Sequence, residues 1–477
     1  MRQKLIQHLL VLILLVPLLF INIKNSHDWG DDFAQYIHQS QNIINGISQN
    51  NTGFIFNENY FIGPVAYPSG FPLLLAPVIK LFGIDITSLN IYLSLFLVLS
   101  CFMTFLFLRK YTSYLTALIT TLIIAYNPMM IDFKTEILSD LPFTFFSLLT
   151  LYLITKQENV WRTILIGALL AFTVHIRSIG YLLVFVYLIT RLLSISKTDG
   201  YKSLILGLTT FLILFMGIKF LFPYNSNYPS LFEADNFWLN ANNHISYNFD
   251  KLYMFFRFYE IKNFFYIGVI ASSSLIAFSF IGLIKFIKTE KLSPITLYVI
   301  GYILIVISFK YGDAGLRFLF PILVFIFLFA IIGVKTTLNS LEIKAKWLPV
   351  FCGVLILYSY SEEIEKITAN TKTICEGPYK PESIKMFEYI NENIKPNDVV
   401  EFDKPRALAL YTHVQSVALN PYQENLNIKE EVKKFKISYI LTSDVLTDNE
   451  IKSFLRTDTS FCKMICSINE FQLYKIN

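Results

Sequence analysis

The chain has 477 residues, of which 54% are hydrophobic and only 16% are charged, and its mean hydropathy is +0.51. Soluble domains contain about 25% charged residues, so this composition excludes an ordinary soluble protein and makes a bilayer the natural solvent for most of the chain. The net charge of +5 is small for this length and argues against a nucleic-acid-binding protein.

Apolar runs close to the length that crosses a bilayer recur from Leu5 to Tyr358. The first run follows Arg2 and Lys4 and lacks a small-residue cleavage site, so we interpret it as a retained helix and not as a signal peptide. A mainly α, polytopic bundle of about eleven spans is predicted, with boundaries accurate to a few residues. The predicted spans are 5–23, 88–108, 113–128, 140–155, 163–176, 178–194, 203–222, 263–284, 293–309, 317–334 and 347–360.

The distribution of basic residues predicts the orientation of these spans. An odd number of spans puts the two termini on opposite sides of the membrane. With a cytoplasmic N-terminus the inside loops collect most of the basic residues, as the positive-inside rule requires. These residues are Arg109, Lys110, Lys156, Arg162, Arg191, Lys197, Lys202, Lys285, Lys288, Lys291, Lys335, Lys344 and Lys346.

Two long loops, 24–87 and 223–262, then face the outside together with short turns near Asp132, Arg177 and Asp313. Within the first loop, Ser69–Gly83 is apolar but too short to span, which predicts an interfacial helix that lies flat over the site. The membrane domain is predicted to occupy residues 1–360.

Residues 361–477 are rich in charge, and their apolar residues recur with helix and strand periods. This pattern predicts a small α/β domain, which the predicted topology puts outside the cytoplasm. Helices are predicted for ESIKMFEYINENI and KPRALALYTHV. Strands are predicted for DVVEF, KISYILTSD and FQLYKI.

The five cysteines indicate little. Cys101 and Cys352 lie in apolar runs and are interpreted as small buried hydrophobic residues. Cys375, Cys462 and Cys466 have poor zinc-ligand spacing, and one disulfide among them is left open.

The first candidate site follows the first span, in HDWGDDFAQYI. Asp28, Asp31 and Asp32 bring three carboxylates into five positions, and like charges this close raise one another's pKa or require a cation. The alternative is structural: Asp31 would cap a helix that begins with a favourable acidic turn.

The second candidate is DFKTEILSDLP, before the fourth span. Glu136 and Asp140 share a face if this stretch is helical, whereas Pro142 favours Asp140 at a helix N-terminus. The alternative is a solvated loop.

Two arginines lie near the same membrane face. Arg177 and Arg317 are interpreted as phosphate ligands, because guanidinium groups suit planar recognition of phosphate. Snorkelling to lipid headgroups is the alternative.

Together these segments resemble the GT-C superfamily of polyprenyl-phosphate-sugar glycosyltransferases, in particular bacterial members akin to protein O-mannosyltransferases and the aminoarabinose transferase of lipid A. The resemblance covers three quarters of the chain and is carried by the order and side of a few segments. These are WGDDFAQYI, YPSGFPLLLAPVIKLFG, NPMMIDFKTEILSDLPFTFF, HIRSIG and LRFLFP, and KPRALALYT is similar to the soluble tail of bacterial members.

The resemblance implies transfer of one hexosyl or pentosyl group from a polyprenyl-phosphate donor to a lipid, glycan or protein acceptor, with inversion, outside the cytoplasmic membrane. It implies that Asp31 or Asp32 is the catalytic base, with Asp32 slightly favoured, and that Asp140 is the second acid, supported by Glu136. Asp31, Asp32 and Asp140 are also the predicted ligands of a divalent cation, Mg²⁺ or Mn²⁺, although some related enzymes need none.

Three other functions stay open. A secondary transporter is disfavoured because no internal repeat is found and the acidic residues lie at the outer rim. A ligase that moves a whole glycan from polyprenyl diphosphate would share the topology and the arginines. A scaffold that displays the α/β domain would need far fewer spans.

Overall fold

The computed structural model describes residues 2–157, 159–193, 200–226, 237–256, 265–309, 315–343, 347–369, 373–374, 376–422 and 427–477. In these ranges an apolar helical part precedes a small α/β part. The helices of the first part are α1 Arg2–Leu15, α2 Asp31–Ile44, α3 Gly70–Phe82, α4 Ile86–Tyr111, α5 Tyr114–Ala125, α6 Pro128–Phe133, α7 Asp140–Ile154, α8 Val160–Ile176, α9 Tyr181–Leu192, α10 Gly200–Leu221, α11 Phe237–Phe255, α12 Phe265–Glu290, α13 Pro294–Ile307, α14 Phe320–Ser340 and α15 Leu348–Ser359.

The second part contains α16 Ser361–Ala369, α17 Pro381–Asn393, β1 Val399–Glu401, α18 Pro405–Thr412, β2 Gln415–Val417, α19 Ile428–Phe435, β3 Ile437–Ser443, α20 Asn449–Thr457, β4 Cys462–Ile468 and β5 Phe471–Ile476. The boundary predicted after residue 360 falls between α15 and α16.

The protein is an integral membrane protein. Each of the eleven predicted spans coincides with an apolar helix. In the described ranges five helical stretches are long and apolar enough to cross a bilayer, and other apolar helices have 10–17 residues. The number of crossings therefore stays a prediction. The five stretches are Arg2–Leu19, Ile86–Tyr111, Gly200–Leu221, Gly268–Glu290 and Leu316–Ser340.

Local sequence signals explain where several helices begin and end. The side chain of Asp85 accepts a hydrogen bond from the Ser88 N–H at the start of α4, and Ser113 caps α5 in the same way. The last turn of α4 carries Arg109 and Lys110, whose positive charge suits a helix C-terminus. These caps alternate between the two ends of the bundle and so define its turns.

The segment predicted as the second outer loop contains a helix that sequence analysis did not predict, α11. The Asn127 side chain donates a hydrogen bond to the Phe255 carbonyl oxygen at the end of α11, at 2.6 Å.

α3 is present as predicted, with its first turn buried and Leu81 and Phe82 exposed. Its orientation to the bilayer plane stays a prediction.

The C-terminal part forms a five-stranded sheet in the order β2-β1-β3-β5-β4. β1 pairs in parallel with β2 and β3, while β5 pairs antiparallel with β3 and β4. The three predicted strands and both predicted helices are confirmed. Sequence analysis missed α16, β2, α19, α20 and β4.

The sheet domain packs directly on the first loop of the membrane part. Trp29 lies edge-on to Phe387 and Phe402, with ring centres 6.2 and 5.7 Å apart. The Ile55 N–H donates to the Ser416 carbonyl oxygen at 2.8 Å, which adds the first loop to the edge of β2. Apolar burial and backbone pairing therefore hold the two parts in one arrangement.

The cysteines only partly match the sequence analysis. Cys101 is buried as predicted, whereas the prediction for Cys352 is wrong because its helix α15 leaves that face exposed. Among the described cysteines, Cys101, Cys352, Cys462 and Cys466 are free thiols. Cys375 and Asp313 lie outside the described residues.

Candidate active site

We call the end of the bundle that carries residues 24–85 and 126–139 the loop face. Asp31 and Asp32 occupy the first turn of α2 at this face, so the acidic first turn is confirmed, but the prediction that Asp31 caps the helix is wrong because Gly30 is the N-cap and no side chain caps it. Tyr67 donates a hydrogen bond to Asp32 Oδ1 at 2.5 Å, and Arg406 Nη1 donates to the same oxygen at 2.9 Å. Asp32 keeps 34% of its side chain exposed, so one carboxylate oxygen is tethered and the residue stays accessible.

Asp31 is more deeply buried and is bound from the C-terminal domain. Its Oδ1 accepts a hydrogen bond from the Ala407 N–H at 3.1 Å, and Arg406 Nε lies 3.6 Å from its Oδ2. Burial raises the pKa of Asp31 to about 6, against the opposing effects of Arg406, the Ala407 N–H and Lys404. Asp31 therefore differs from its exposed neighbour in environment and accessibility.

A second cluster lies beside the first and is centred on His27. His27 Nδ1 lies 3.0 Å from Asp28 Oδ1, and Nε2 lies 3.4 Å from Glu136 Oε2. The imidazole also stacks on Phe33, with ring centres 3.9 Å apart. The buried His27 side chain thus connects Asp28 of the first outer loop to Glu136 of the short turn before α7.

The pKa values of this cluster reflect burial opposed by charge. Burial raises the pKa of Glu136 to about 7, although His27 opposes the rise. Burial alone would lower the pKa of His27, but the hydrogen bond to Asp28 and the charges of Glu136 and Asp28 raise it overall. For Asp28 the contacts with His27 and the Gly30 N–H outweigh burial and lower the pKa.

Asp140 and Arg177 form the third cluster. Asp140 begins α7, which confirms the prediction of a helix N-terminus, and it is 4% exposed. Arg177 Nη1 lies 2.5 Å from Asp140 Oδ1 and 3.5 Å from Ser139 Oγ. Glu136 lies in the preceding turn, so the two acids do not share a helix face.

Aromatic contacts connect the first and third clusters. Tyr67, which binds Asp32, stacks on Tyr36 with ring centres 4.4 Å apart. The Tyr36 hydroxyl lies 3.2 Å from Ser139 Oγ, next to Asp140. Packed side chains thus run continuously from the first loop to α7.

A cavity of about 260 Å³ opens between these loops and the start of α14. It is lined by polar groups that include Glu136 and Arg317 and by apolar side chains that include Phe133 and Phe320. Arg317 Nε is buried and makes no hydrogen bond with the described residues. A guanidinium group at the wall of a cavity is suited to bind an anionic ligand.

The two predicted arginines approach a common neighbour. The guanidinium carbons of Arg177 and Arg317 lie 5.6 and 5.8 Å from the centre of the Phe318 ring. The structure thus brings both arginines and all four predicted acids to the loop face. Sequence analysis did not single out His27, Tyr67 or Arg406.

The predicted metal ligands are not grouped as expected. Asp31 and Asp32 face Arg406, and Asp140 faces Arg177, so guanidinium groups already balance these charges. Within the described ranges one group has metal-ligand spacing, His27, Asp28 and Glu136, whose ligand atoms lie within 4.8 Å of one another. One imidazole nitrogen and two carboxylates form a ligand set that fits Mn²⁺ or Zn²⁺. To bind the ion, His27 would have to point one ring nitrogen at it and give up that nitrogen's contact with a carboxylate.

Comparison with known proteins identifies the fold. No protein-family model matches the sequence, and no curated protein matches it. Among solved structures, the oligosaccharyltransferase of Archaeoglobus fulgidus in complex with Zn and sulfate is similar, with a TM-score of 0.58 and 11% identity over 92% of this chain and 68% of that chain.

ArnT from Cupriavidus metallidurans bound to undecaprenyl phosphate is similar over 98% of this chain and 97% of that one, with a TM-score of 0.55 and 12% identity. Its apo structure gives the same TM-score at 10% identity. These similarities confirm the GT-C fold that the sequence resemblance implied.

Proposed function

We propose that the protein is a membrane glycosyltransferase that moves a single sugar from a polyprenyl-phosphate donor to a hydroxyl or amine of a lipid, glycan or protein acceptor. One observation carries the proposal: the oriented, accessible carboxylate of Asp32 and a cavity lined by Arg317 lie at the same face of a GT-C fold. A similarly folded structure, that of ArnT, contains undecaprenyl phosphate. Shared fold alone does not specify chemistry, so the residues at the loop face carry the argument.

Asp32 is the proposed general base. Tyr67 and Arg406 occupy its Oδ1, which leaves Oδ2 as the oxygen available to an acceptor. Removal of the acceptor proton makes the acceptor a stronger nucleophile toward the anomeric carbon. Attack in one displacement inverts that carbon, and the nearby carboxylates favour the positive charge that develops on the sugar.

Arg317 and Arg177 are the proposed ligands of the departing phosphate. The bond to the sugar breaks with its electron pair on the phosphate oxygen, so negative charge grows there in the transition state. Arg317 lines the cavity and its Nε makes no hydrogen bond with the described residues, which suits the side chain to this charge. Apolar residues of the cavity wall, Phe133 and Phe320, suit the adjoining prenyl chain.

The orientation of the chain follows from charge. The basic ends of α4, α9 and α12 carry Arg109, Arg191 and Lys288. These ends point away from the loop face along the chain path, which supports a cytoplasmic position for them. The loop face and the C-terminal domain would then lie on the extracytoplasmic side of the cytoplasmic membrane.

A divalent cation used by the enzyme would be held by His27, Asp28 and Glu136. When bound it would supply positive charge for the donor phosphate. We expect Mn²⁺ or Zn²⁺ to raise the melting temperature of the chelator-treated protein, because a ligand at a hundred times its dissociation constant stabilises by about 2.7 kcal/mol.

The control for the metal prediction is His27→Gln. This variant should lose the thermal shift, while Asp444→Asn, an exposed position of the C-terminal domain, should keep it. A shift that persists in His27→Gln and in Glu136→Gln would place the ion elsewhere.

The test of the proposed function follows release of polyprenyl phosphate. Purified protein is incubated with a panel of polyprenyl-phosphate sugars and with lipid, glycan and protein acceptors. Release of polyprenyl phosphate with one sugar would identify the donor. If no donor of this class is consumed, single-sugar transfer is wrong.

The similarity to an oligosaccharyltransferase favours one second candidate, transfer of a whole glycan. Such a reaction would consume polyprenyl-diphosphate glycans, so these donors belong in the same panel. Consumption of a diphosphate donor and of no monophosphate donor would favour the ligase.

A further inference from the structure

Arg406 is the largest side chain that is fully buried in the described structure, and it comes from the C-terminal domain. It is the second residue of α18, which follows β1 after a short connection that ends at Lys404. Its Nη1 lies 2.9 Å from Asp32 Oδ1 and 3.2 Å from the Tyr67 hydroxyl. A charged group costs free energy to bury unless it is paired, so this placement needs a specific partner.

The first loop is shaped around this guanidinium. The rings of Phe54 and Tyr67 lie 5.0 and 5.4 Å from its central carbon, and the Pro64 carbonyl oxygen accepts a hydrogen bond from Nη2 at 3.4 Å. Gly63 has φ +141°, and a Cβ at this position would lie 1.9 Å from Nη2. Only glycine fits this backbone against the arginine.

The contact with Arg406 affects whether Asp31 and Asp32 are protonated, because its positive charge balances theirs. Two adjacent carboxylates in a partly buried place repel each other, and such a pair takes up a proton unless a cation balances it. The groups that face the pair are Arg406, Lys404, Tyr67 and Tyr60. Arg406 is the charged group in direct contact with both acids.

We propose that Arg406 is a positioning residue of the active site, which balances the Asp31 and Asp32 pair and fixes Asp32 with its Oδ2 available to the acceptor. The C-terminal domain then completes the site, because without it the two acids lack their counter-charge. The role of Asp32 as base rests on the proposed function, whereas the effect of Arg406 on protonation of the pair does not.

The experiment compares Arg406→Gln with Arg406→Lys in the full-length protein. Protonated carboxyls are modified with a carbodiimide across a pH series, and the peptide containing Asp31 and Asp32 is followed by mass spectrometry. In Arg406→Gln we expect the pH of half-modification to rise by about one unit or more, because an opposite charge at this distance shifts a carboxyl pKa by about 1–3 units. Arg406→Lys keeps the charge and should stay near wild type.

Enzyme activity provides the second readout. The acidic limb of the pH profile for sugar transfer should move upward in Arg406→Gln, while Arg406→Lys should keep the wild-type limb at a reduced rate, since lysine lacks the planar fork. Arg456→Gln, an exposed position in α20, is the matched control.

Two outcomes would overturn the proposal. One is an unchanged half-modification pH in a folded Arg406→Gln protein, which would leave Arg406 as a docking residue only. The other is a rise in the half-modification pH of Arg406→Lys as large as the rise expected for Arg406→Gln. That result would show that the positive charge at this position does not control protonation of the pair, even if Arg406→Gln does not fold. Absence of transferase activity would count against the proposed function and leave the modification result valid.

Discussion

Replacement of Asp32 with Asn is expected to lower the rate of sugar transfer by about 10²–10⁴-fold, the range attributed to a general base. Asparagine keeps the shape of the side chain and can still accept hydrogen bonds from Tyr67 and Arg406 at Oδ1. It presents an amide where the carboxylate oxygen stood, and an amide cannot take a proton from the acceptor. The measurement is the turnover number at saturating donor and acceptor.

Asp31→Asn and Asp444→Asn are the controls for this prediction. Asp31 is bound to the Ala407 N–H and is less exposed than Asp32, so we expect a smaller loss from it. Asp444 is exposed on the C-terminal domain and should leave activity unchanged. If Asp31→Asn is inactive while Asp32→Asn retains activity, the roles of the two acids are reversed.

Replacement of Arg317 with Gln is expected to reduce the turnover number by about 10²–10³-fold, as the loss of one preorganised donor does in other enzymes. The Nε of Arg317 has no hydrogen-bond partner among the described residues, so removal of this nitrogen breaks no hydrogen bond in the described part of the chain. We therefore expect thermal unfolding close to wild type. This combination of lost rate and retained stability is typical of a ligand-binding cation.

The Michaelis constant for the donor should show whether Arg317 contacts the phosphate in the bound donor or mainly in the transition state. If Arg317 contacts the phosphate mainly in the transition state, the turnover number falls and the Michaelis constant changes little. Arg456→Gln, exposed on α20, controls for the loss of an arginine. Wild-type activity in Arg317→Gln would exclude the cavity as the phosphate site.

The positions of the spans could be predicted because hydropathy is a local property. Runs such as Ile86–Tyr111 exceed bilayer length, and their apolar side chains have no other favourable solvent. α11 was missed because its sequence, FWLNANNHISYNFDKLYMF, is mixed in polarity and resembles a loop. β2 was missed because its three residues, QSV, contain one apolar side chain and so show no strand pattern, unlike the equally short but more apolar β1.

The candidate site was predicted in part. All four acids and both arginines lie at the loop face, at or near the ends of helices whose positions along the chain follow from hydropathy. Their partners were not predicted: Asp32 binds Arg406 across 374 positions of sequence, and Glu136 binds His27 across more than a hundred. The three predicted metal ligands pair with Arg406 and Arg177, and the described group with metal-ligand spacing is His27, Asp28 and Glu136.

The sequence by itself determined that this is a membrane protein with a series of apolar helices, which segments carry its acids, and where the charged C-terminal part begins. These follow from hydropathy, periodicity and charge, which depend on neighbouring residues. Only the tertiary structure decided which charges pair, because ion pairing depends on distances of a few ångströms between distant segments. Trp29 of the first loop packs against Phe402 of the C-terminal part, and this packing holds Arg406 next to Asp32.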